Sequence, residues 1–144
     1  MIYEVKDINQ YKDICKDLLS RHNPPLVLLL TGELGSGKTT FTKELGDILG
    51  VDNVVKSPTF IIHQEYISSK SKIVMHHYDF YRLVSEIELK ELLIENLIKP
   101  NSYIVIEWAD KFIEILNELF KNIDMIHINF THKSEFIRIV EVNE

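Results

Sequence analysis

Cysteine occurs once in the 144 residues, at Cys15. That excludes an intramolecular disulfide and any zinc or iron–sulfur site built on several thiolates. A lone cysteine among apolar helical neighbours reads as a small core residue. Arginine is nearly as scarce: Arg21, Arg82 and Arg138 are all there are, and 22 acids against 16 basic residues leave a net charge of −6. A chain that grips nucleic acid by neutralising phosphates needs a basic stripe, and none is visible. No run approaches the roughly 20 apolar residues that cross a bilayer. The opening Met1-Ile2-Tyr3-Glu4-Val5-Lys6-Asp7 carries acid early and has no apolar signal core, so a reducing cytoplasm is expected rather than secretion. There is no internal repeat, low-complexity tract or linker. A hydrophobic fraction of 45% and a charged fraction of 26% then describe an ordinary globular chain, expected to form one domain over 1–144.

The apolar pattern supplies the elements. Ile2 to Val5 predicts a short strand. From Asp7 onward Ile8, Tyr11, Ile14, Cys15, Leu18 and Leu19 recur at helical spacing, and Asn23-Pro24-Pro25 stops that helix. Leu26 to Leu30 is a continuous apolar run, too short for a typical helix, and reads as a strand buried on both faces. A helix over Lys38 to Leu49 is closed by Gly50. Strand character follows at Thr59 to Tyr66 and at Ile73 to Tyr78, with Ser68 to Ser71 as the turn. Ser85 and Glu88 form a capping box for a helix through Leu89, Leu92 and Leu93. Tyr103 to Ile106 is another buried strand, followed by a helix with Phe112, Ile115, Leu116 and Leu119. Ile123 to Phe130 and Phe136 to Val142 predict a closing hairpin about Thr131 to Ser134. The sum is an α/β fold: a mixed, mainly parallel central sheet flanked by helices, with a C-terminal β-hairpin.

Between the buried strand and its helix lies Gly32-Glu33-Leu34-Gly35-Ser36-Gly37-Lys38-Thr39, which fits G-x-x-x-x-G-K-[ST] without mismatch. Glycines let the backbone bend round an anion, and successive N–H groups then face the phosphates at the positive end of the helix. Gly35, Ser36, Gly37, Lys38, Thr39 and Thr40 are the candidate nucleotide contacts of a P-loop NTPase-like domain. Lys38 is placed to reach the β- and γ-phosphates of ATP, and the Thr39 hydroxyl to bind Mg2+.

Magnesium takes few protein ligands, and a P-loop protein generally adds an acid from the end of a neighbouring buried strand. Glu107, after Tyr103 to Ile106, and Asp79, after Ile73 to Tyr78, both occupy such a position. One would serve the metal and the other would orient or deprotonate the attacking water. His76 and His77 are adjacent on a strand, face opposite sides and cannot chelate together, so a structural or hydrogen-bonding role is expected for each. Trp108 stands beside Glu107, where lining the nucleotide site and simple packing are equally open. Arg82 is placed either to act on phosphates or to pair with an acid near Asp79.

Four segments in fixed order narrow the field: residues 32–40, Ser57-Pro58-Thr59-Phe60, His77-Tyr78-Asp79-Phe80-Tyr81-Arg82-Leu83, and Ile106-Glu107-Trp108. Together they closely resemble the TsaE family, also called YjeE, the small P-loop ATPase of bacterial tRNA threonylcarbamoyladenosine synthesis. The resemblance implies a cytoplasmic Mg2+-dependent ATPase that acts on a TsaD–TsaB complex. That complex transfers threonylcarbamoyl to adenosine 37 of tRNAs reading ANN codons, so tRNA would be met only through it. By position, Lys38 and Thr39 match the phosphate and magnesium residues, Glu107 the magnesium-associated glutamate and Asp79 the catalytic aspartate. Thr59 matches a switch-like residue that senses the γ-phosphate, and Trp108 the tryptophan beside the site. Two departures stand out. Where the family usually has a glycine in Glu-Leu-x-x-Leu-Gly, this chain reads Glu88-Leu89-Lys90-Glu91-Leu92-Leu93. The threonine that often stands near the adenine has no clear equivalent in Asp7-Ile8-Asn9-Gln10.

Two other functions use the same loop. A small-metabolite kinase would need several arginines to clamp donor and acceptor phosphates, and this chain has one near a motif. A nucleotide-dependent interaction switch that never hydrolyses has no need of a second placed acid.

Overall fold

The computed structural model describes residues 1–56 and 61–144. Its elements are β1 (Ile2–Val5), α1 (Ile8–Arg21), β2 (Leu26–Gly32), α2 (Lys38–Leu49), β3 (His63–Ile67), β4 (Val74–Asp79), α3 (Glu86–Glu91), β5 (Ser102–Glu107), α4 (Ile113–Leu119), β6 (Asp124–His132) and β7 (Arg138–Asn143), with 3-10 turns at Ile94–Leu97 and Ala109–Phe112. One seven-stranded sheet runs β1-β7-β6-β2-β5-β4-β3. The four inner strands β6, β2, β5 and β4 pair parallel, while β1–β7, β7–β6 and β3–β4 pair antiparallel. The mixed α/β architecture and the closing hairpin agree with the sequence. Among the described residues no helix is long and apolar enough to cross a membrane.

Two cores lie against the sheet. On one face Tyr11, Ile14, Cys15 and Leu18 of α1 and Phe41, Leu45 and Leu49 of α2 pack on Leu28, Leu30, Val105 and Ile126. On the other, Leu89, Leu116 and Phe120 cover Val27, Leu29, Tyr78, Ile104 and Ile106. Each such fully buried apolar side chain contributes about 1.5–3 kcal/mol. β2 is buried from Leu26 to Leu30 because both faces are covered, which is why its sequence is continuous rather than alternating. α1 starts where Asp7 accepts from the Asn9 amide and Gln10 reaches back to the Asp7 amide. α2 ends at Gly50 in the left-handed region.

Four expectations need correction. The strand predicted from Thr59 begins at His63; Thr59, in the switch-like segment, lies outside the described residues. The helix predicted through Leu92 and Leu93 stops at Glu91. Leu93 takes φ +50° and the chain continues as a 3-10 turn, so the leucines satisfy helical spacing without a continuous helix. Ser85 does accept from the Glu88 amide at 3.2 Å, but Glu88 returns to the amide of Val84. The hairpin turn sits later than predicted, because Thr131 and His132 still pair with Ile139 and Arg138.

Candidate functional site

The parallel strands bring three C-terminal ends to one edge of the sheet: β2 at Gly32, β5 at Glu107 and β4 at Asp79. Leu30 pairs with Glu107 and Glu107 with Asp79, so both acids stand beside the glycine-rich loop. That edge is where open α/β sheets bind ligands.

The loop is shaped by two left-handed glycines, Gly35 at φ +73° and Gly37 at φ +115°. A β-carbon on Gly37 would lie 2.3 Å from the Tyr11 hydroxyl, so both the backbone angle and the space demand glycine there. Gly37 opens α2 without any side-chain cap. The first-turn amides of Lys38, Thr39 and Thr40 therefore have no intrahelical acceptor and form a site for an anion.

Lys38 is buried within the loop. Its Nζ donates to the carbonyls of Gly32 (2.5 Å) and Glu33 (2.8 Å) and to Ser36 Oγ (3.4 Å). It also stands 4.3 Å from the centre of the Trp108 ring, in cation–π contact. Burial lowers its pKa, opposed by the carboxylates of Glu107, Asp79 and Asp110. Trp108 reaches that position because its own backbone turns left-handed, φ +60°, directly after β5. Such a conformation costs a non-glycine residue about 1–2 kcal/mol.

Glu107, only 2% exposed, is held from two elements. Thr39 Oγ1 shares its hydrogen between Oε1 (2.9 Å) and Oε2 (3.1 Å), and His77 Nε2 lies 2.5 Å from Oε2. Asp79 is half-buried, and its Oδ1 accepts from the Tyr81 amide at 2.9 Å. Burial raises its pKa above the ordinary value; the Tyr81 hydrogen bond opposes this and the neighbouring Glu107 charge reinforces it. A hollow of about 170 Å³ is lined by residues 34–40 with Asp79, Glu107 and Trp108. The structure thus brings the loop, both acids and Trp108 together around one hollow. Arg82 is exposed in the turn beyond Asp79.

The sequence reading missed several walls. A second hollow of about 290 Å³ shares Gly35, Gly37 and Thr40 with the first and is closed by Asp7, Tyr11, Phe136 and Arg138. Phe136 and Arg138 belong to the closing hairpin, and only the folded sheet brings them here. Arg138 also donates to the Gly35 carbonyl at 3.4 Å, tying hairpin to loop. The two histidines were expected to act separately and do: His76 pairs with His63 (2.9 Å) and His77 with Glu107. The signal overlooked was the spacing of His77 and Asp79, two apart on a strand and hence on one face.

Known proteins share this frame. A family model described as Threonylcarbamoyl adenosine biosynthesis protein TsaE matches residues 5–140. The chain is similar to the tRNA threonylcarbamoyladenosine biosynthesis protein TsaE of Streptomyces coelicolor, 40% identical over 64% of this chain and 62% of that protein, so under two thirds of that relative is matched. The protein of the same name from Haemophilus influenzae is 36% identical over 78% of this chain and 72% of its own length. Among solved structures, Bacillus subtilis YdiB aligns with a TM-score of 0.69 and 25% identity, covering 97% of this chain and 82% of that one.

Proposed function

The chain belongs to the TsaE family, and from that premise we propose that it binds ATP with Mg2+ in the Gly32–Thr39 loop and hydrolyses it. In this reading it is a cytoplasmic accessory ATPase of tRNA threonylcarbamoyladenosine synthesis. It acts on TsaD- and TsaB-type proteins, meets tRNA only through them and does not transfer the threonylcarbamoyl group itself. The observation that carries the reading is the Thr39–Glu107 hydrogen bond, which joins a phosphate loop to a strand-end carboxylate.

The donor set fits the metal. A hydroxyl and a carboxylate are hard oxygen donors, and magnesium asks few of these from protein when phosphates supply the rest. Thr39 and Glu107 would hold it, and bound magnesium would neutralise charge on the β- and γ-phosphate oxygens. The amides of Lys38, Thr39 and Thr40 receive phosphate oxygens. Lys38 exchanges its carbonyl partners for a phosphate. Asp79, harder to ionise than a solvated aspartate, accepts the proton of the attacking water. Trp108 covers the loop against solvent. The hollow bounded by Tyr11, Phe136 and Arg138 takes the base and sugar, while Asp7 is already committed to capping α1. Thr59 is assigned to γ-phosphate sensing on the family resemblance.

Phosphate release from ATP, measured with and without TsaD- and TsaB-type proteins, tests this. Turnover should be slow alone and faster with them, and Lys38→Ala should lower it by about 100-fold or more. Unchanged turnover in Lys38→Ala would count against the site. Label passing from ATP to a small metabolite would favour a kinase, and nucleotide-sensitive association without phosphate release would favour a switch.

A further inference from the structure

We propose that His77 is a positioning residue that holds the Glu107 carboxylate in place when Thr39 turns toward the metal. This rests on the reading of Glu107 as the magnesium-side acid.

A carboxylate that is 2% exposed cannot rely on water, and a buried charge left without donors is strongly unfavourable. Among the described residues two donors serve it. The first is the Thr39 hydroxyl, whose single hydrogen is shared between both oxygens. In the proposed reaction that same hydroxyl becomes a metal ligand and its hydrogen is redirected. The second is His77, and it is then the side-chain donor left on Glu107 among the described residues.

The geometry suits a permanent hold. β4 and β5 are neighbours in parallel register, with His77 opposite Val105 and Asp79 opposite Glu107. His77 and Asp79 therefore share a face, and the imidazole reaches along the sheet to Oε2 at 2.5 Å. The ring has no exposed surface. A carboxylate only accepts, so Nε2 carries the hydrogen. Nδ1 is buried and has no hydrogen-bond partner among the described residues. The ring's polar anchorage is thus its bond to Glu107. Metal sites commonly use such an outer hydrogen bond to orient a ligating side chain, and losing it typically costs 10–100-fold in metal affinity.

The test measures ATP affinity calorimetrically with Mg2+ and without it, in wild type and in three variants. His77→Leu should lose roughly 10- to 100-fold of the magnesium-dependent gain, with magnesium-free ATP affinity within about twofold of wild type. His77→Gln places an amide nitrogen near the Nε2 position and should keep most of the gain. His77→Asn presents its nitrogen nearer Nδ1 and should not. Full retention in His77→Leu, or equal behaviour of the Gln and Asn variants, overturns the proposal. A wild type with no magnesium gain removes the parent reading of Glu107, and this one with it. If the variants do not fold, nitrogen-15 spectra of the wild-type imidazole decide: a hydrogen on Nε2 that persists with ATP and Mg2+ supports the proposal, and its absence or loss sinks it.

Discussion

Two acids end neighbouring strands in direct register, yet their surroundings set them apart. Glu107 at the end of β5 is buried and bonded by side chains from α2 and β4. Asp79 at the end of β4 is half-buried and bonded by the amide of its own turn. That turn is pinned from behind, because Lys111 Nζ donates to the carbonyls of Phe80 (3.0 Å), Tyr81 (2.8 Å) and Leu83 (2.6 Å). Topology delivers both carboxylates to the loop, and hydrogen bonding gives them different surroundings. The acid tethered from several directions suits a metal, whose ligands must not wander. The one held, among the described residues, by a single amide, with its ionisation already disfavoured, suits proton transfer.

The sharpest way to break this contrast is to neutralise each acid in turn. Glu107→Gln should lose about 100-fold of magnesium-dependent ATP affinity, whereas Asp79→Asn should bind ATP within a few-fold of wild type and release phosphate about 100-fold more slowly or worse. Titrations and single-turnover assays on both would show it, and matching profiles would erase the distinction. A smaller effect comes from loosening one side alone. Lys111→Met frees the turn behind Asp79 and leaves Glu107 untouched, so hydrolysis should fall about tenfold with nucleotide affinity nearly constant. Equal losses in both would place Lys111 in general stability instead.

The contrast also has a pH signature. The folded Asp79 carboxyl holds its proton more tightly than the unfolded one, whose ordinary value is 3.8. Its contribution to stability is therefore fullest below 3.8 and is lost as pH rises through the higher folded value. At neutral pH the ionised group opposes folding. Asp79→Asn should melt at a higher temperature than wild type at pH 7, and the gain should vanish below pH 3.8. A gain independent of pH would mean that packing, not ionisation, is responsible. The smallest change is at a residue outside the lining of the hollow that holds both acids. Leu93, 52% exposed at φ +50°, stands where the family resemblance expects glycine. Leu93→Gly should stabilise the fold by up to about 1 kcal/mol in denaturant titrations, leaving ATP affinity unchanged.

What the sequence disclosed follows from how locally each feature is encoded. The phosphate loop, β2 and the helices on either side are written in contiguous residues, and their bounds match closely. The two acids were legible because a strand end is a local property and parallel strands bring such ends together. His77 was not, since its partner depends on β4 and β5 being adjacent in one particular register. Phe136 and Arg138 escaped for the same reason, as the hairpin reaches the loop only across the assembled sheet. The break at Leu93 was hidden by a leucine spacing that records which face is buried and says nothing of a left-handed residue between a short helix and a 3-10 turn. Thr59 lies outside the described residues, and its place relative to the loop rests on resemblance alone.

One detail of the loop has a practical side. The chain has a single tryptophan, and that indole lies against the ammonium of Lys38. In the proposed reading an incoming polyphosphate would compete for the same charge, and the ring's electronic surroundings would change with each binding and release. The fold would thereby contain its own optical reporter, readable by emission without any attached dye.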